Sequence, residues 1–369
     1  MPTYDSFVEY KNDKNKFLSE CEENIKPFII LKYGFVNSKE DELENFKKDN
    51  KIYCIGDKNK IQNISGILDN CENVSVYIKK LFPYSFIIWS KFKLKQPYFS
   101  KDDDDFYIIS NPVLKEKAFK VPMVRGSGWK GTLANAFKDL INENIDIGDK
   151  ERNRTLIESY IRIFGTGSEY MKSLEYYYKK RLENEAYTIK YLKDSLFRLL
   201  LFEFGIKLTK EMLENIRKAN TREEIFNILN DEYFAKIESI NTHKGRAIFY
   251  PTYFDRLSLE VFNPHDRRKR AGTQPIYYEV VPESTEGILQ IIYIPFDGML
   301  NENDILKSEA ENDLNNILLA IEKISQNGVG AKTKLGWGTF EFSEKYYYVN
   351  EDLEIKEELK EKGWLKCQN

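Results

Sequence analysis

The order of strand-like and helix-like segments limits the fold of this 369-residue chain more than any other feature. Residues 85–99 alternate apolar and polar side chains with period two, which is typical of a half-buried strand. Residues 132–140 and 313–324 repeat apolar side chains at helical spacing. Further strand-like segments lie at 245–254, 257–262, 276–281 and 287–296, and a last one ends the glycine-rich stretch at 327–342.

This order predicts an α+β fold with a ferredoxin-like or RRM-like βαββαβ core, formed by residues 81–165 and 244–349. Two strand-like segments joined by a loop too long for a tight turn predict an extended β-hairpin, the thumb, at 257–286. The expected additions to the core are an N-terminal extension at 1–80, a helical insertion at 166–243 and a C-terminal tail at 350–369.

Charge is balanced overall, with 56 basic and 59 acidic residues, which excludes a globally basic nucleic-acid binder but not local clusters of cations. Four scattered cysteines predict free thiols in a reducing compartment, and two histidines leave little room for imidazole chemistry.

The sequence offers neither an apolar stretch of membrane-spanning length nor an apolar signal core at its start. We therefore expect a cytoplasmic protein with no membrane partner.

A first glycine-rich segment, residues 125–131, stands immediately before the first helix-like segment. Its glycines match the spacing of a dinucleotide-binding fingerprint, but Pro122 interrupts the strand that such a site needs and no Rossmann context follows. Backbone N–H groups at a helix N-terminus suit phosphate oxygens, and basic residues flank this one. The predicted phosphate-binding residues are Lys120, Arg125, Gly126, Ser127 and Lys130. The alternative is a helix cap made tight by glycines.

A second glycine-rich segment, residues 328–338, carries lysines and a tryptophan. Lys332-Thr333 is similar to the end of a P-loop, but Ala331 stands where a glycine is needed and the segment follows a helix instead of opening one. Glycines allow close backbone approach, lysines contact phosphates, and a tryptophan can stack on a base. The predicted RNA-binding residues are Gly328, Gly330, Lys332, Lys334, Gly336 and Trp337. The alternative is a flexible turn with solvated lysines.

The tip of the thumb is strongly basic. Residues 266–270 contain four basic side chains and one acid, a local charge of +3 in a nearly neutral protein. At the tip of an aromatic-rich hairpin, such a run can reach into a polyanion. The predicted RNA-binding residues are His265, Arg267, Arg268, Lys269 and Arg270. A solvated face is the alternative.

An acidic run, Asp102 to Asp105, is the candidate for catalysis. Carboxylate oxygens suit a hard cation such as Mg²⁺, which assists phosphodiester cleavage, although a solvated loop is the more common fate of such a run. Asp104 and Asp105 are the candidate catalytic residues. We expect Mg²⁺ as a cofactor only if the chain is a nuclease, and no cofactor for RNA binding itself.

Four motifs, in chain order, resemble those of the RAMP superfamily of CRISPR proteins, specifically the RNA-binding subunits of type III effector complexes. VPMVRGSGWKGTLANAF resembles the I-P-G-S-S-x-K-G segment, and IFG at 163–165 with GRAIFYPTYF resembles the pair L-F-G and G-x-L-x-F-x-D-A. NPHDRRKRAGTQPIYYEVVPESTEG is similar to the thumb of backbone subunits. GVGAKTKLGWGTFEF is similar to the C-terminal glycine loop of the sixth Cmr subunit.

The resemblance implies an RRM-like core that stacks with sister RAMP subunits in a multi-subunit filament along a CRISPR RNA. The glycine-rich segments would grip the guide backbone, and the thumb would wedge into the duplex of guide and target RNA. The expected function is therefore that of an RNA-binding subunit of a type III CRISPR ribonucleoprotein in antiviral defence.

Catalysis by this chain stays an open alternative. In backbone subunits that cut target RNA the acid precedes an N-P-V-like segment, but Ser110 precedes Asn111-Pro112-Val113 here, and Asp104 and Asp105 are the nearest acids. The enzyme alternatives are a metal-dependent endoribonuclease subunit and a stand-alone CRISPR RNA-processing endoribonuclease using a histidine such as His243. The thumb argues against the second, because a monomeric processor has no filament to reach across. The last alternative is an interaction module for acidic proteins.

Overall fold

The computed structural model describes residues 6–21, 23, 26–34, 39–49, 52–53, 57–103, 107–147, 150–165, 188–198, 210–228, 245–263, 265–266, 271–272, 275–296 and 303–367. The helices, in chain order, are α1 (Ser6–Asn12), α2 (Lys14–Ser19), α3 (Lys26–Tyr33), α4 (Lys39–Asp49), α5 (Lys58–Ile64), α6 (Cys71–Ile78), α7 (Gly126–Ile147), α8 (Lys150–Phe164), α9 (Ile189–Arg198), α10 (Lys210–Lys218), α11 (Arg222–Ile228), α12 (Asn303–Asn327) and α13 (Glu357–Glu361).

The strands, in chain order, are β1 (Ile52–Tyr53), β2 (Phe86–Leu94), β3 (Met123–Val124), β4 (Ala247–Phe249), β5 (Thr252–Tyr253), β6 (Leu257–Phe262), β7 (His265–Asp266), β8 (Ala271–Gly272), β9 (Ile276–Val280), β10 (Glu286–Tyr293), β11 (Phe340–Phe342), β12 (Tyr346–Val349) and β13 (Leu365–Lys366). The chain divides into two compact units. Within the described ranges, no helix is both long and apolar enough to cross a lipid bilayer.

The first unit comprises Met1–Ala136, Phe249–Ile292 and Ile317–Asn369 and contains most of the largest sheet. The strand order of that sheet is β13-β12-β2-β10-β4, and β11 also pairs with β2. Strand β2 is antiparallel to both β11 and β12, and β13 runs parallel to β12. Along the chain the core elements are β2, α7, β4, β10, α12 and β11, which is the predicted order of strands and helices. The α+β fold class is confirmed.

The start of α7 packs on one face of β2. Trp129 is fully buried, and its ring lies edge-to-face against Phe92 and Phe340, with centroid distances of 5.9 Å to each. Its Nε1–H donates to the Thr252 hydroxyl at 2.9 Å, and that hydroxyl donates to the carbonyl oxygen of Ile288 at 2.6 Å. A buried tryptophan with a satisfied N–H is a strong apolar anchor. Trp129 therefore fixes the first turn of α7 on the sheet.

The opposite face of β2 is covered at one end by residues 66–68. The Nε1–H of Trp89 donates to the carbonyl oxygen of Leu68 at 2.9 Å. The Gln290 side chain accepts from the Leu68 N–H at 2.8 Å and donates to the Gly66 carbonyl oxygen at 3.0 Å. Phe86–Ser90 are consequently all buried. The predicted alternation of buried and exposed side chains holds only in the second half of β2.

The other end of this face carries lysines that alternate with buried apolar residues. Each lysine has a glutamate partner: the pairs, with their N–O distances, are Lys91–Glu344 (3.4 Å), Lys93–Glu286 (3.2 Å) and Lys95–Glu341 (3.9 Å). RRM domains bind RNA through aromatic residues on their sheet. The described part of this face presents neutralised ion pairs instead.

The second unit comprises Phe137–Ile248 and Tyr293–Asn316 and includes the described helices of the predicted insertion, α9, α10 and α11. Its core contains a buried ion pair in which Arg162 Nη2 lies 2.7 Å from Asp313 Oδ1. The Tyr293 hydroxyl donates to Asp313 Oδ2 at 2.6 Å. Burial by itself lowers the pKa of Arg162, but the Asp313 carboxylate outweighs burial and raises that pKa.

Two of the sequence motifs meet inside this second unit. The Arg246 N–H donates to the carbonyl oxygen of Arg162 at 2.7 Å, which joins GRAIFY to the residue before IFG. A Cβ on Gly245 would lie 2.4 Å from the carbonyl oxygen of Ile163, so the close approach requires glycine at this position. The two motifs are therefore held together in this unit by close contact between their main chains.

The last described residues add to the sheet of the first unit. After α13 the chain pairs through β13 with β12, and Trp364 is 1% exposed. Its Nε1–H donates to Glu322 Oε1 at 2.8 Å. Residues of the predicted C-terminal tail thus contribute a strand and a buried anchor to the core.

Candidate nucleic-acid interface

The first glycine loop (residues 125–131) forms the N-terminus of α7. The helix begins at Gly126, and not at Thr132 as the apolar spacing predicts. A Cβ on Gly126 would lie 2.2 Å from the carbonyl oxygen of Phe249, so this glycine serves the packing of the protein itself. Ser127 and Gly128 are exposed, and the side chain of Arg125, at the cap position, has no acceptor atom for an N–H of the first turn. The N–H groups of the first turn, which have no partner inside a helix, therefore remain available to an anion.

The second glycine loop (residues 328–338) closes on its own backbone. Its glycines all have positive φ: Gly328 (+85°), Gly330 (+92°), Gly336 (+84°) and Gly338 (+74°). The Val329 N–H donates to the carbonyl oxygen of Gly338 at 3.0 Å, and a Cβ on Gly338 would lie 2.0 Å from the Val329 oxygen. A Cβ on Gly336 would meet nothing within 4 Å. Of these four glycines, only Gly336 leaves room for the backbone of a ligand.

The two glycine loops meet at Tyr98 and Phe99, just after β2. The Ala331 N–H donates to the Phe99 carbonyl oxygen at 2.7 Å. On the other side, the buried Tyr98 hydroxyl donates to the carbonyl oxygen of Met123, two residues before the first loop, at 3.1 Å. Burial raises the pKa of Tyr98, and the nearby positive charge of Arg125 opposes that shift. Two of the three predicted cationic clusters are therefore neighbours.

The thumb strands β6 and β9 lie against the second loop. The Lys332 Nζ stands over three aromatic rings, at 4.2 Å from the Tyr278 centroid, 5.1 Å from that of Phe262 and 5.7 Å from that of Trp337. We call these three residues the aromatic cradle. Trp337 is half-buried and lies edge-to-face with Tyr278 at 5.8 Å.

The sequence analysis names Trp337 as a candidate but names neither Phe262 nor Tyr278. The signal that could have found them is strand register. Phe262 pairs with Ile276 and Glu260 with Tyr278, which sets Phe262 and Tyr278 on the same face of the hairpin. That register depends on where the hairpin turns, and the long tip of the thumb leaves it undefined in the sequence.

The cations of the glycine loops differ from those of the sheet. Among the described residues, Arg125, Lys130, Lys332 and Lys334 form no ion pair with a carboxylate. Partial burial lowers the pKa of Lys130, a shift that a nearby carboxylate would oppose. Lys120 is half-buried in a turn in which its N–H donates to the Glu116 carbonyl oxygen at 2.9 Å. The loops thus present positive charge that no carboxylate of the described residues pairs with.

The segment Asn111–Val113, which the sequence analysis compared with an N-P-V motif, is fixed by a buried glutamate of β9. Glu279 accepts from the Tyr107 hydroxyl at 2.8 Å and from the Val113 N–H at 3.0 Å, and it pairs with the Lys115 ammonium. The Asn111 Nδ2 donates to the carbonyl oxygen of Tyr277 at 3.1 Å. Because Glu279 is fully buried and already engaged, it holds this segment on the thumb and is not placed for catalysis.

Several predicted site residues cannot be located. Asp104, Asp105, Arg267, Arg268, Lys269, Arg270 and His243 lie outside the described residues. The backbone of His265 pairs with Gly272, but its side chain lies outside them as well. The described residues include no group of three or more His, Cys, Asp or Glu that could hold a metal ion. The catalytic and thumb-tip residues therefore remain predictions.

A family model described as the RAMP superfamily matches residues 91–341, a range that spans both glycine loops and the thumb. None of the curated proteins matches the chain. Among solved structures, the chain is similar to one described as "Cryo-EM structure of the Type III-B Cmr-beta bound to cognate target RNA". The two are 13% identical with a TM-score of 0.40, and the similarity covers 92% of this chain and 88% of that chain.

Proposed function

The chain belongs to the RAMP superfamily, and on that basis we propose that it binds RNA as a subunit of a type III CRISPR ribonucleoprotein. In this function the two glycine loops hold the sugar–phosphate backbone of the CRISPR RNA. The thumb, with its basic tip, wedges into the duplex of guide and target RNA. Sister RAMP subunits are the other partners, in a filament that acts in antiviral defence.

One observation carries the proposal: both glycine loops converge on Tyr98 and Phe99, and their cations form no ion pair with a carboxylate among the described residues. The Ala331–Phe99 hydrogen bond holds the second loop to this segment, and the Tyr98–Met123 hydrogen bond holds to it the residues just before the first loop. Like charges collected on one surface repel each other, and a polyanion relieves that repulsion while it releases its own counterions. A nearly neutral protein with a local cationic surface is suited to a strand of phosphates.

The backbone of the loops supports the same ligand. The first turn of α7 offers unpaired N–H groups, and exposed Ser127 adds a hydroxyl. A Cβ on Gly131 or Gly336 would meet nothing within 4 Å, so a ligand can approach the main chain at these points. Direct contact between main-chain N–H groups and phosphate oxygens positions a nucleic acid without reading its sequence, as a guide-binding subunit requires.

Target cleavage is not part of this proposal. The buried carboxylate nearest the Asn111–Val113 segment, Glu279, is neutralised by Lys115. Asp104 and Asp105 remain the candidates for a metal-dependent nuclease, with Mg²⁺ as the cofactor such a reaction would need. RNA binding through loops and cations requires no cofactor.

The proposal is tested by isolating the assembly from its native host through a tag on this chain and sequencing the bound nucleic acid. We expect RNA that begins with repeat-derived sequence and continues into varied spacer sequence, together with other RAMP subunits. Recovery of the tagged chain alone, or with RNA that lacks any common repeat, would contradict the proposal. The matched control is the tagged chain carrying Lys130→Ala and Lys334→Ala, which should retain less of that RNA.

A further inference from the structure

The β6–β9 hairpin exposes apolar side chains, at its end nearest the tip of the thumb, that phosphate binding does not require. Phe262 is 40% exposed, and its cross-strand partner Ile276 is 37% exposed. The Phe262 ring also lies 5.1 Å from the Lys332 ammonium, which stands over the aromatic cradle. Apolar side chains left in water next to unneutralised cations are typical of a surface that a ligand covers. The ligand should therefore have both an apolar, planar part and an anionic part.

We propose that the aromatic cradle takes up one unpaired base of the bound RNA strand, while Lys332 contacts a phosphate of the same nucleotide. The inference rests on the proposed function and adds to it a site for a base. Every base has a π face that stacks on aromatic rings, so the site accepts any sequence. A charge-assisted bond to a phosphate oxygen is stronger than a contact with a ring face. The Lys332 ammonium can consequently leave the ring faces and bind the phosphate instead, which frees the rings for the base.

The conformation of the second loop directs Lys332 to this position. Its φ of +65° lies in the left-handed region, which is uncommon for a residue with a side chain. The Leu335 N–H donates to the Lys332 carbonyl oxygen at 2.8 Å and closes a short turn there. Next in the chain, Gly336 leaves open space for the sugar–phosphate backbone. The rings of the aromatic cradle, the Lys332 ammonium and the accessible main chain at Gly336 thus lie in the same loop region.

Tryptophan fluorescence reports on this site. Three of the four tryptophans, Trp89, Trp129 and Trp364, are at most 1% exposed, so a bound base can reach only Trp337. The full-length chain is titrated with a short oligouridylate and with an abasic ribose-phosphate oligomer of the same length. We expect quenching by the oligouridylate only, and about tenfold tighter binding of it, because one stacked base contributes about a factor of ten or more.

Two neighbouring variants give the decisive comparison. Phe262→Ala should abolish most of the preference for the oligouridylate, whereas Val261→Ala, at a 53% exposed position on the other face of β6, should leave it intact. Equal binding of the two oligomers by the unaltered chain would overturn the inference and leave the proposed RNA binding standing. A preference that survives Phe262→Ala would also overturn it. Failure of both oligomers to bind would overturn the proposed function itself.

Discussion

Lysines on the sheet face and lysines on the glycine loops look alike in the sequence but differ in the fold. Lys91, Lys93 and Lys95 each stand within 4 Å of a glutamate on a neighbouring segment. Lys332 and Lys334 have no carboxylate partner among the described residues, and Lys332 lies over aromatic rings instead. A local run of lysines is therefore a candidate nucleic-acid surface only where the fold leaves it without partners.

The largest effect is expected where a partnered cation is buried. Glu279→Gln leaves the Lys115 ammonium in the protein interior without its counter-charge, which should lower the free energy of unfolding by about 3–5 kcal/mol. Glu341→Gln, at an exposed partner of Lys95, should lower it by less than about 1 kcal/mol. Urea denaturation of the two variants provides the measurement. Equal, small losses would show that the Lys115–Glu279 pair does not hold the thumb strand in place.

A smaller effect is expected in the second glycine loop. Gly338→Ala places a methyl group against the Val329 carbonyl oxygen at a positive φ and should cost about 1–3 kcal/mol of stability. Gly336→Ala meets no neighbour and should cost about 1 kcal/mol from φ alone. Thermal unfolding of both variants measures the difference. If Gly336→Ala proved the more damaging, the loop would have a different conformation from the one described.

The smallest effect is expected on the sheet face. Lys93→Ala removes one exposed ion pair with Glu286, and exposed pairs contribute no more than about 1 kcal/mol. The midpoint of urea denaturation should hardly change, and the affinity for oligouridylate should stay that of the unaltered chain. A clear loss of RNA affinity would place the sheet face in the interface and remove the distinction between the two sets of lysines.

Local patterns in the sequence predicted much of the fold. The alternation in residues 85–99, the helical spacing at 132–140 and the two thumb strands all correspond to elements of the structure, because period two and period 3.6 reflect burial of one face. The helix that begins at Gly126 was expected to start later, at Thr132. Its first turn contains glycines, which give no apolar periodicity to read.

Long-range partners could not be predicted. The bonds between Trp89, Leu68 and Gln290 join segments far apart in the sequence, and they explain why the first half of β2 is buried on both faces. The Lys115–Glu279 pair spans a similar separation. For the site, the sequence proposed the cationic residues of both loops as candidates, which stay predictions. It could not show that Phe262 and Tyr278 stand beside Lys332, because hairpin register decides this.

The central claim is that the unpartnered cations of the glycine loops, and not those of the sheet, bind RNA. The most direct test measures how the affinity for a single-stranded RNA changes with salt in two double variants that remove the same charge, Lys130→Ala/Lys334→Ala and Lys93→Ala/Lys95→Ala. The account predicts a log–log slope that is shallower by about 0.7 for each phosphate that the loop variant no longer neutralises, and an unchanged slope in the sheet variant. Equal slopes in the two variants would contradict it.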